Sequence, residues 1–575
     1  MAKSNNILAS FKQNKFLIFI PLFYTLFFIF KDSFVYKSYF FFGSFLLFVS
    51  CCVFFSGFSK QKFQSFKINF SIIFAFLLIA MPFLIWLITN KIGFEVTFYY
   101  ICVFALFIVF SFLQNNINIL KINKLIVAFA LCEAIICILQ SLGIVKSIAN
   151  FFAIAGIAAN PNVTAMFIVM SLPAIISLFS KENRKILCLI IGIEVVALIL
   201  LKSRTAFVGI CVIAFCLFLK NYYKNRKIIV IISVCVVLMG ILIVPKLYNF
   251  KKDSADGRFF IWKVATEMIT DKPLGYGYGT IVNSYNKAQS VYIQTHTLTK
   301  QEQKTAEYVY NFMNDYLEMA VMGGIAGGIL YLMFVISILY LGLKHWKTDF
   351  YAFLAVLVFA VMGLMNFAFF APQIALLFAY YSAISTKNAK TLCEIKPNRN
   401  IFLIVGLAFL FVACGYVYTR FKVNSAYNLY YDKNITEAKT ELQKLKLFTS
   451  NEIYSLCFGD CYFAEKNFEN ALNYYSKAVD FAYHPKTLIK MANCEFHLQN
   501  YEPALEYLHS ASNIQPVLFE PHYCEMMVYL KSRNFEKAQE KANFILQKEI
   551  KFQNKKIDYF KEQANKVLKI KELQQ

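Results

Sequence analysis

Runs of about 20 apolar residues, nearly free of charge, recur through the first three quarters of the chain. A helix that crosses a bilayer needs about that many, and a water-soluble fold has nowhere to bury so many such runs. We expect thirteen spans, at 16–30, 38–58, 68–89, 94–113, 122–142, 161–180, 186–201, 203–220, 228–247, 316–343, 350–370, 372–386 and 401–419. The first, seventh and twelfth are short, and the pair flanking Lys202-Ser203-Arg204 can also be read as one long element. Composition agrees: 58% of the residues are hydrophobic, against roughly 45–50% in soluble domains. From about Arg420 onward the composition is that of an ordinary soluble domain.

The net charge of +24 would suggest a nucleic-acid binder in a soluble protein. Here the cations sit in short loops between apolar runs, as the positive-inside rule places them, and no nucleic acid is expected as a partner. With the N-terminus in the cytosol, the inner loops are 59–67, 114–124, 181–185, 220–227, 344–349 and 387–399, all carrying Lys or Arg. The opposite loops, near Asn90, at 143–160 and near Ala371, are almost uncharged. One alternation fits the entire chain. It places the long loop 248–311 and everything after Thr419 on the outer side. The basic N-terminus runs into an apolar stretch without a clean cleavage site and is read as the first span rather than a signal peptide.

Beyond the last span, Asn434-Ile435-Thr436-Glu437-Ala438 recurs as Asn467-Phe468-Glu469-Asn470-Ala471, Asn500-Tyr501-Glu502-Pro503-Ala504 and Asn534-Phe535-Glu536-Lys537-Ala538. The steps of 33, 33 and 34 residues are the tetratricopeptide period. In this reading Asn tolerates the unusual dihedrals of the turn, the aromatic packs between helices, and Ala lets the second helix approach closely. Pro485 and Pro516 lie near repeat ends, and the last helix, near 551–573, caps the stack. Such a solenoid offers a concave surface to a protein partner, or it packs only against the membrane domain. The 15 cysteines contain no Cys-x-x-Cys pair, and most lie inside apolar runs as small hydrophobes. Cys457 and Cys461, one helical turn apart, are expected to be core thiols.

Few ionisable residues fall at membrane depth. Glu133 and Glu194 do, and each can face a neighbouring helix or serve function. Arg204 stands at the outer end of a span. An interfacial cation can snorkel there, but a guanidinium is also suited to gripping phosphate oxygens in two places. In the outer loop, Arg258 lies among Phe259, Phe260 and Trp262, and about ten residues on comes Asp271-Lys272-Pro273-Leu274-Gly275-Tyr276-Gly277-Tyr278-Gly279. Those glycines would permit tight turns and a close backbone approach to a ligand. A third segment, Asn314-Asp315-Tyr316-Leu317-Glu318, stands where a helix enters the membrane from outside. It can cap that helix or contribute a polar cluster to an outer cavity. Gly323-Gly324 and Gly327-Gly328 follow at a spacing suited to close helix packing.

These segments, in this order, resemble the O-antigen ligase/polymerase superfamily, best over 190–340 and, by span count, over most of 1–390. The resemblance implies an all-α fold: a polytopic, GT-C-like membrane bundle of about 12–13 spans, followed here by the tetratricopeptide solenoid. The expected domains are 1–400, a membrane domain with a periplasmic loop at 248–311; 401–419, the last span; and 420–575, a periplasmic repeat domain. The implied location is the bacterial inner membrane. The implied activity moves a glycan from undecaprenyl pyrophosphate to an acceptor: a glycan, lipid A-core or protein. Membrane lipid surrounds the protein, and the repeats would hold a protein partner. No cofactor, metal or nucleotide sugar is implied. Arg204 and Arg258 match the arginines expected to hold the donor's pyrophosphate. Ligases of the family usually carry His just before the Asn of the third segment, and this chain has Met313 there. Asp315 or Glu318, beside Asn314, would then activate the acceptor hydroxyl, with His296 of the outer loop a further candidate. The contrasting reading is a non-enzymatic envelope scaffold or transporter whose repeats recruit partner proteins.

Overall fold

The computed structural model describes residues 49–50, 52–53, 66–115, 117–147, 149, 151–158, 160–222, 248–249, 251–396, 398–445, 452–551 and 553–569. Among these the chain is all-α apart from two three-residue strands. It divides into two compact units. The first comprises the described residues of Met1–Leu84, Phe94–Phe250 and Met313–Cys414, and the second those of Ile85–Gly93, Lys251–Phe312 and Gly415–Gln575. The expected spans 16–30 and 228–247, and nearly all of 38–58, lie outside the described residues.

The first unit contains α1 (Phe70–Thr89, as far as Leu84), α2 (Phe94–Leu113), α3 (Ile119–Ser141), α4 (Pro161–Leu178), α5 (Arg184–Leu201) and α6 (Arg204–Tyr222). Eight helices in the described chain are long and apolar enough to cross a bilayer, and α1, α2, α3, α4 and α6 are five of them. α5 carries Arg184, Lys185 and Glu194 and falls short by composition. It is a separate helix from α6, because Lys202 between them takes the left-handed conformation (φ 50°, ψ 41°) and ends the first. The long loop expected on the outer side follows and belongs to the second unit as α7 (Lys252–Asp271), α8 (Ile281–Thr295) and α9 (Lys300–Thr305). The chain then returns to the first unit as α10 (Asp315–Lys344), α11 (Trp346–Gly363) and α12 (Pro372–Ser385). α13 (Arg399–Tyr431) is divided between the units at Cys414.

The membrane character shows in what the surface exposes. Phe83, Leu84 and Leu87 of α1, and Ile404, Leu407 and Phe411 of α13, are more than half exposed. Apolar faces of that extent suit a lipid surround and are foreign to water-facing surfaces. α4 and α12 form the interior, and every residue of α12 from Gln373 to Ser385 is buried. α10 breaks at Gly324 (φ 68°), a conformation that glycine adopts without Cβ strain. The expected role of the small residues in packing between helices is therefore corrected in part. A Cβ on Gly328 would stand 2.8 Å from Cβ of Ala320, on the same element across the break.

Several contacts join loops of the first unit. β1 (Phe66–Ile68) pairs antiparallel with β2 (Cys393–Ile395), joining the loops 59–67 and 387–399 expected on the inner side. Lys124 pairs with Glu182 at 2.6 Å, Asn388 donates to Asp349 at 3.2 Å, and Lys220 lies 4.3 Å above the Phe350 ring. The first three of these contacts join loops expected on the inner side, and the last joins such a loop to the first residue of the span expected at 350–370.

In the second unit, the tail of α13 leads into α14 (Ile435–Gln443), α15 (Glu452–Ala464), α16 (Phe468–Phe481), α17 (Pro485–His497), α18 (Tyr501–Ile514), α19 (Glu520–Lys531), α20 (Phe535–Gln547) and α21 (Lys555–Lys569). These are antiparallel pairs in register with the repeat, and Asn434, Asn467, Asn500 and Asn534 are the N-caps of α14, α16, α18 and α20. The left-handed residue of each turn is the one before the Asn, which corrects the expectation that Asn takes it. Lys433, Lys466, Gln499 and Arg533 have φ of 66°, 61°, 66° and 59°. Cys457 and Cys461 are buried thiols.

Candidate functional site

One end of the first unit gathers polar groups at the beginnings of four helices. Asn160 caps α4, accepting from the Asn162 amide at 2.9 Å. The Ser203 hydroxyl donates to Asn162 Oδ1 at 3.0 Å, tying the start of α6 to the start of α4. Asn366 Nδ2 donates to Thr205 Oγ1 at 3.5 Å, so the loop 364–371 meets the start of α6. Phe369 N in that loop donates to Asp315 Oδ2 at 2.9 Å, so the loop also meets the start of α10, three residues before α12 begins. Helix N-termini carry unsatisfied N–H groups and a positive dipole end, and together they favour an anion.

Arg204 is the first residue of α6 and is half-buried at this end. Asn314 is the N-cap of α10, and its Oδ1 accepts from the amides of Tyr316 at 3.0 Å and Leu317 at 3.1 Å. Asp315 and Glu318 lie in the first turn of α10 and are buried. Glu318 Oε1 accepts from the Tyr100 hydroxyl at 2.9 Å. Asp315 fits because α11 ends in glycine: a Cβ on Gly363 would stand 2.7 Å from Asp315 Oδ2. The structure therefore brings Asn314, Asp315 and Glu318 together and connects them, through the loop 364–371, to the start of the Arg204 helix. Met313, where a His was expected by resemblance, takes φ 52° just ahead of the cap.

Several partners here were not legible beforehand. Tyr99 donates to the Phe369 carbonyl at 2.9 Å, and the ring of Phe369 stacks on Tyr100 with centroids 5.2 Å apart. Tyr99, Tyr100, Asn366 and Phe369 come from segments that read only as apolar spans. Glu133 accepts from the Ile157 amide at 2.9 Å, and Glu194 lies 3.4 Å from the Ser171 hydroxyl. Both carboxyls thus have neighbouring polar groups.

Arg258 belongs to the second unit, on α7, and is half-buried. It shares a helix face with Trp262, one turn on. Trp262 Nε1 donates to the Phe312 carbonyl at 2.8 Å, two residues before Asn314 in the chain. α9 fastens the same helix: Gln301 donates to Asp253 at 2.9 Å and Asp256 at 2.8 Å, and Lys263 pairs with Glu302 at 2.9 Å. Hydrogen bonding to Glu302, aided by Tyr292, holds the Lys263 ammonium above the usual lysine range. His296 ends α8 and stacks on Tyr292 with centroids 4.1 Å apart, its Nε2 3.5 Å from Glu267. The glycines of the outer loop do make a close backbone approach, but to the chain itself. Gly277 has φ 103°, and a Cβ there would stand 2.6 Å from the Lys91 carbonyl oxygen. Gly93 N donates to the Tyr278 carbonyl at 2.7 Å. The expected approach to a ligand is thereby corrected to a junction between two outer loops.

Residues 186–332 match the O-antigen ligase family. The matched segment runs from α5 past the break in α10 and contains Arg204, Arg258, Asn314, Asp315 and Glu318. It spans less than half of the chain. A search of curated proteins found no match. Among solved structures, the crystal structure of the APC/C hetero-tetramer Cut9-Hcn1 aligns at 10% identity over 92% of this chain and 89% of that one, with a TM-score of 0.23. At that score the alignment carries no weight, and the repeat architecture rests on the helix pairs and their period. The chain is a multi-pass membrane protein with a segment similar to the O-antigen ligase family and a helical-repeat region.

Proposed function

We propose that this protein transfers a glycan from an undecaprenyl-pyrophosphate-linked donor to a lipid, glycan or protein acceptor at the periplasmic face of a bacterial inner membrane. The observation that carries the reading is the O-antigen ligase match, which spans all five candidate residues. The polar gathering of helix starts around Arg204 and α10 supports it. In the reaction, the acceptor hydroxyl oxygen attacks the anomeric carbon. The bond from that carbon to the diphosphate oxygen breaks, and undecaprenyl pyrophosphate departs with the electron pair. The hydroxyl proton passes to a carboxylate, Asp315 or Glu318. Arg204 and Arg258 each bind the diphosphate, whose negative charge grows as the bond breaks, and fixed cations stabilise that state. Asn314 holds the start of α10 in place.

The sidedness is supported by which loops touch. The outer loops 85–93 and 251–312 share one compact unit with the repeats, while the inner loops contact one another.

Arg204→Ala and Arg258→Ala are each expected to abolish transfer onto surface glycans while the protein still inserts. Unaltered glycan profiles in both variants would refute the assignment. The partners already held by Asp315 and Glu318 favour a second reading, a scaffold that binds no donor. Binding of an undecaprenyl pyrophosphate analogue in detergent separates the two.

A further inference from the structure

The segment 306–312 is a strap without helix or strand between α9 and α10. Ala306, Val309 and Phe312 are buried, and within the second unit its backbone is held by buried amides of α8. Asn286 reads Val309 at both ends: Nδ2 donates to its carbonyl at 2.9 Å, and Oδ1 accepts from its N–H at 3.0 Å. Gln289 Nε2 donates to the Glu307 carbonyl at 3.0 Å and to the Ile514 carbonyl at 2.6 Å, so a single amide joins the strap to the last turn of α18. α8 is itself seated on the repeats. It packs against α16 and α18, and Asn283 donates to the Val479 carbonyl while the Ser290 hydroxyl reaches the Ser510 carbonyl at 3.4 Å. The strap touches the repeats directly as well. The Tyr308 ring packs against their apolar core and lies 4.2 Å from the His484 ring. Lys551 bonds both the Glu307 carboxylate and the Lys304 carbonyl.

We infer that the repeats bind the chain's own outer loop, and that Asn286 and Gln289 are positioning residues that hold the strap leading into α10. A segment outside helix and strand lacks a regular ladder of backbone hydrogen bonds, so its buried N–H and C=O groups need partners supplied from elsewhere. Side-chain amides serve because each offers donors and an acceptor in one plane. The strap ends at Phe312, whose carbonyl is fixed by Trp262 on the Arg258 face of α7. The repeats thus help to fix both the helix that carries Arg258 and the chain that precedes Asn314. The consequence for catalysis rests on the proposed glycan transfer; the binding of the strap does not.

The test uses the full-length protein in detergent. Gln289→Glu keeps the shape but removes both N–H donors and sets a carboxylate against two carbonyl oxygens. Lys551→Met removes a partly buried ammonium outside the buried amide pair and guards against failure of the first variant to fold. Tryptic cleavage after Lys304 is expected to quicken on the order of tenfold in Gln289→Glu and by a smaller factor in Lys551→Met. Glycan transfer in Gln289→Glu should lose kcat with little change in donor KM, and Gln289→Asn should recover part of it. Cleavage at the wild-type rate in both variants would overturn the inference. Faster cleavage with wild-type kcat, in a protein where Arg258→Ala removes transfer, would overturn the positioning role. If Arg258→Ala leaves transfer intact, the glycan-transfer reading fails, and the cleavage result still judges the strap.

Discussion

Gly277 is constrained twice, by its dihedral and by its neighbour. Its φ of 103° is unfavourable for any side chain, and the Lys91 carbonyl occupies the space where a Cβ would go. Gly277→Ala should therefore destabilise the second unit by about 2 kcal/mol or more, read as a lowered Tm of the purified protein. His484 makes a different kind of prediction. Burial, with Lys486 and Lys490 nearby, pushes its imidazole down to about 4 from an ordinary 6.5. The unfolded chain then takes up the proton first as pH falls. Stability is complete above about 6.5 and declines as pH drops toward 4. Melting curves from pH 7.5 to 4.5 should show that decline, and His484→Asn, which puts an amide oxygen in place of the capping Nδ1, should flatten it. At this scale the arginines and the α10 carboxylates were visible as isolated charges in apolar surroundings. Tyr100, Asn366 and Gly363 were not, because a tyrosine, an asparagine or a glycine within a span looks the same whether or not a carboxylate sits against it.

The repeat helices show what period reveals and what it hides. Recurrence at 33 or 34 residues located every turn, and the N-caps fall on the expected asparagines. The strain, however, sits one residue earlier, on Lys466, Gln499 and Arg533. Replacing each with Gly should stabilise the repeats by about 0.5–1 kcal/mol, since the left-handed conformation costs other residues roughly 1–2 kcal/mol. Asn467→Ala and Asn534→Ala should each cost about 1 kcal/mol through a lost cap. Asn500→Ala should act instead through the bond from Asn500 Nδ2 to Glu495 at 2.8 Å, because Asn500 makes no side-chain cap. The spans were legible for the same reason as the repeats: apolar length is a property of the sequence itself. α10 was less so, since its break at Gly324 lies inside an unbroken apolar run. The seating of α8 on the repeats was illegible. It is made by amides donating to backbone carbonyls, and backbone acceptors leave no mark in the order of residues.

For the whole molecule, the alternation of basic and neutral loops predicts where each end of the chain lies. An enzyme reporter fused after the last residue should give an extracytoplasmic signal, and a cytoplasmic signal would require a different number of spans. In the proposed orientation, α7, the strap and the repeats lie on the side where a lipid-linked glycan would be met. The account therefore stands on the chemistry at Arg204 and Arg258. Its most direct test is transfer by purified protein in liposomes, supplied with an undecaprenyl-pyrophosphate-linked glycan and an acceptor. Wild-type protein should move the glycan, and Arg204→Ala and Arg258→Ala should each slow turnover on the order of 10²–10³-fold while remaining folded. Transfer at the wild-type rate by either variant, or none by the wild type with any lipid-linked donor, would contradict it.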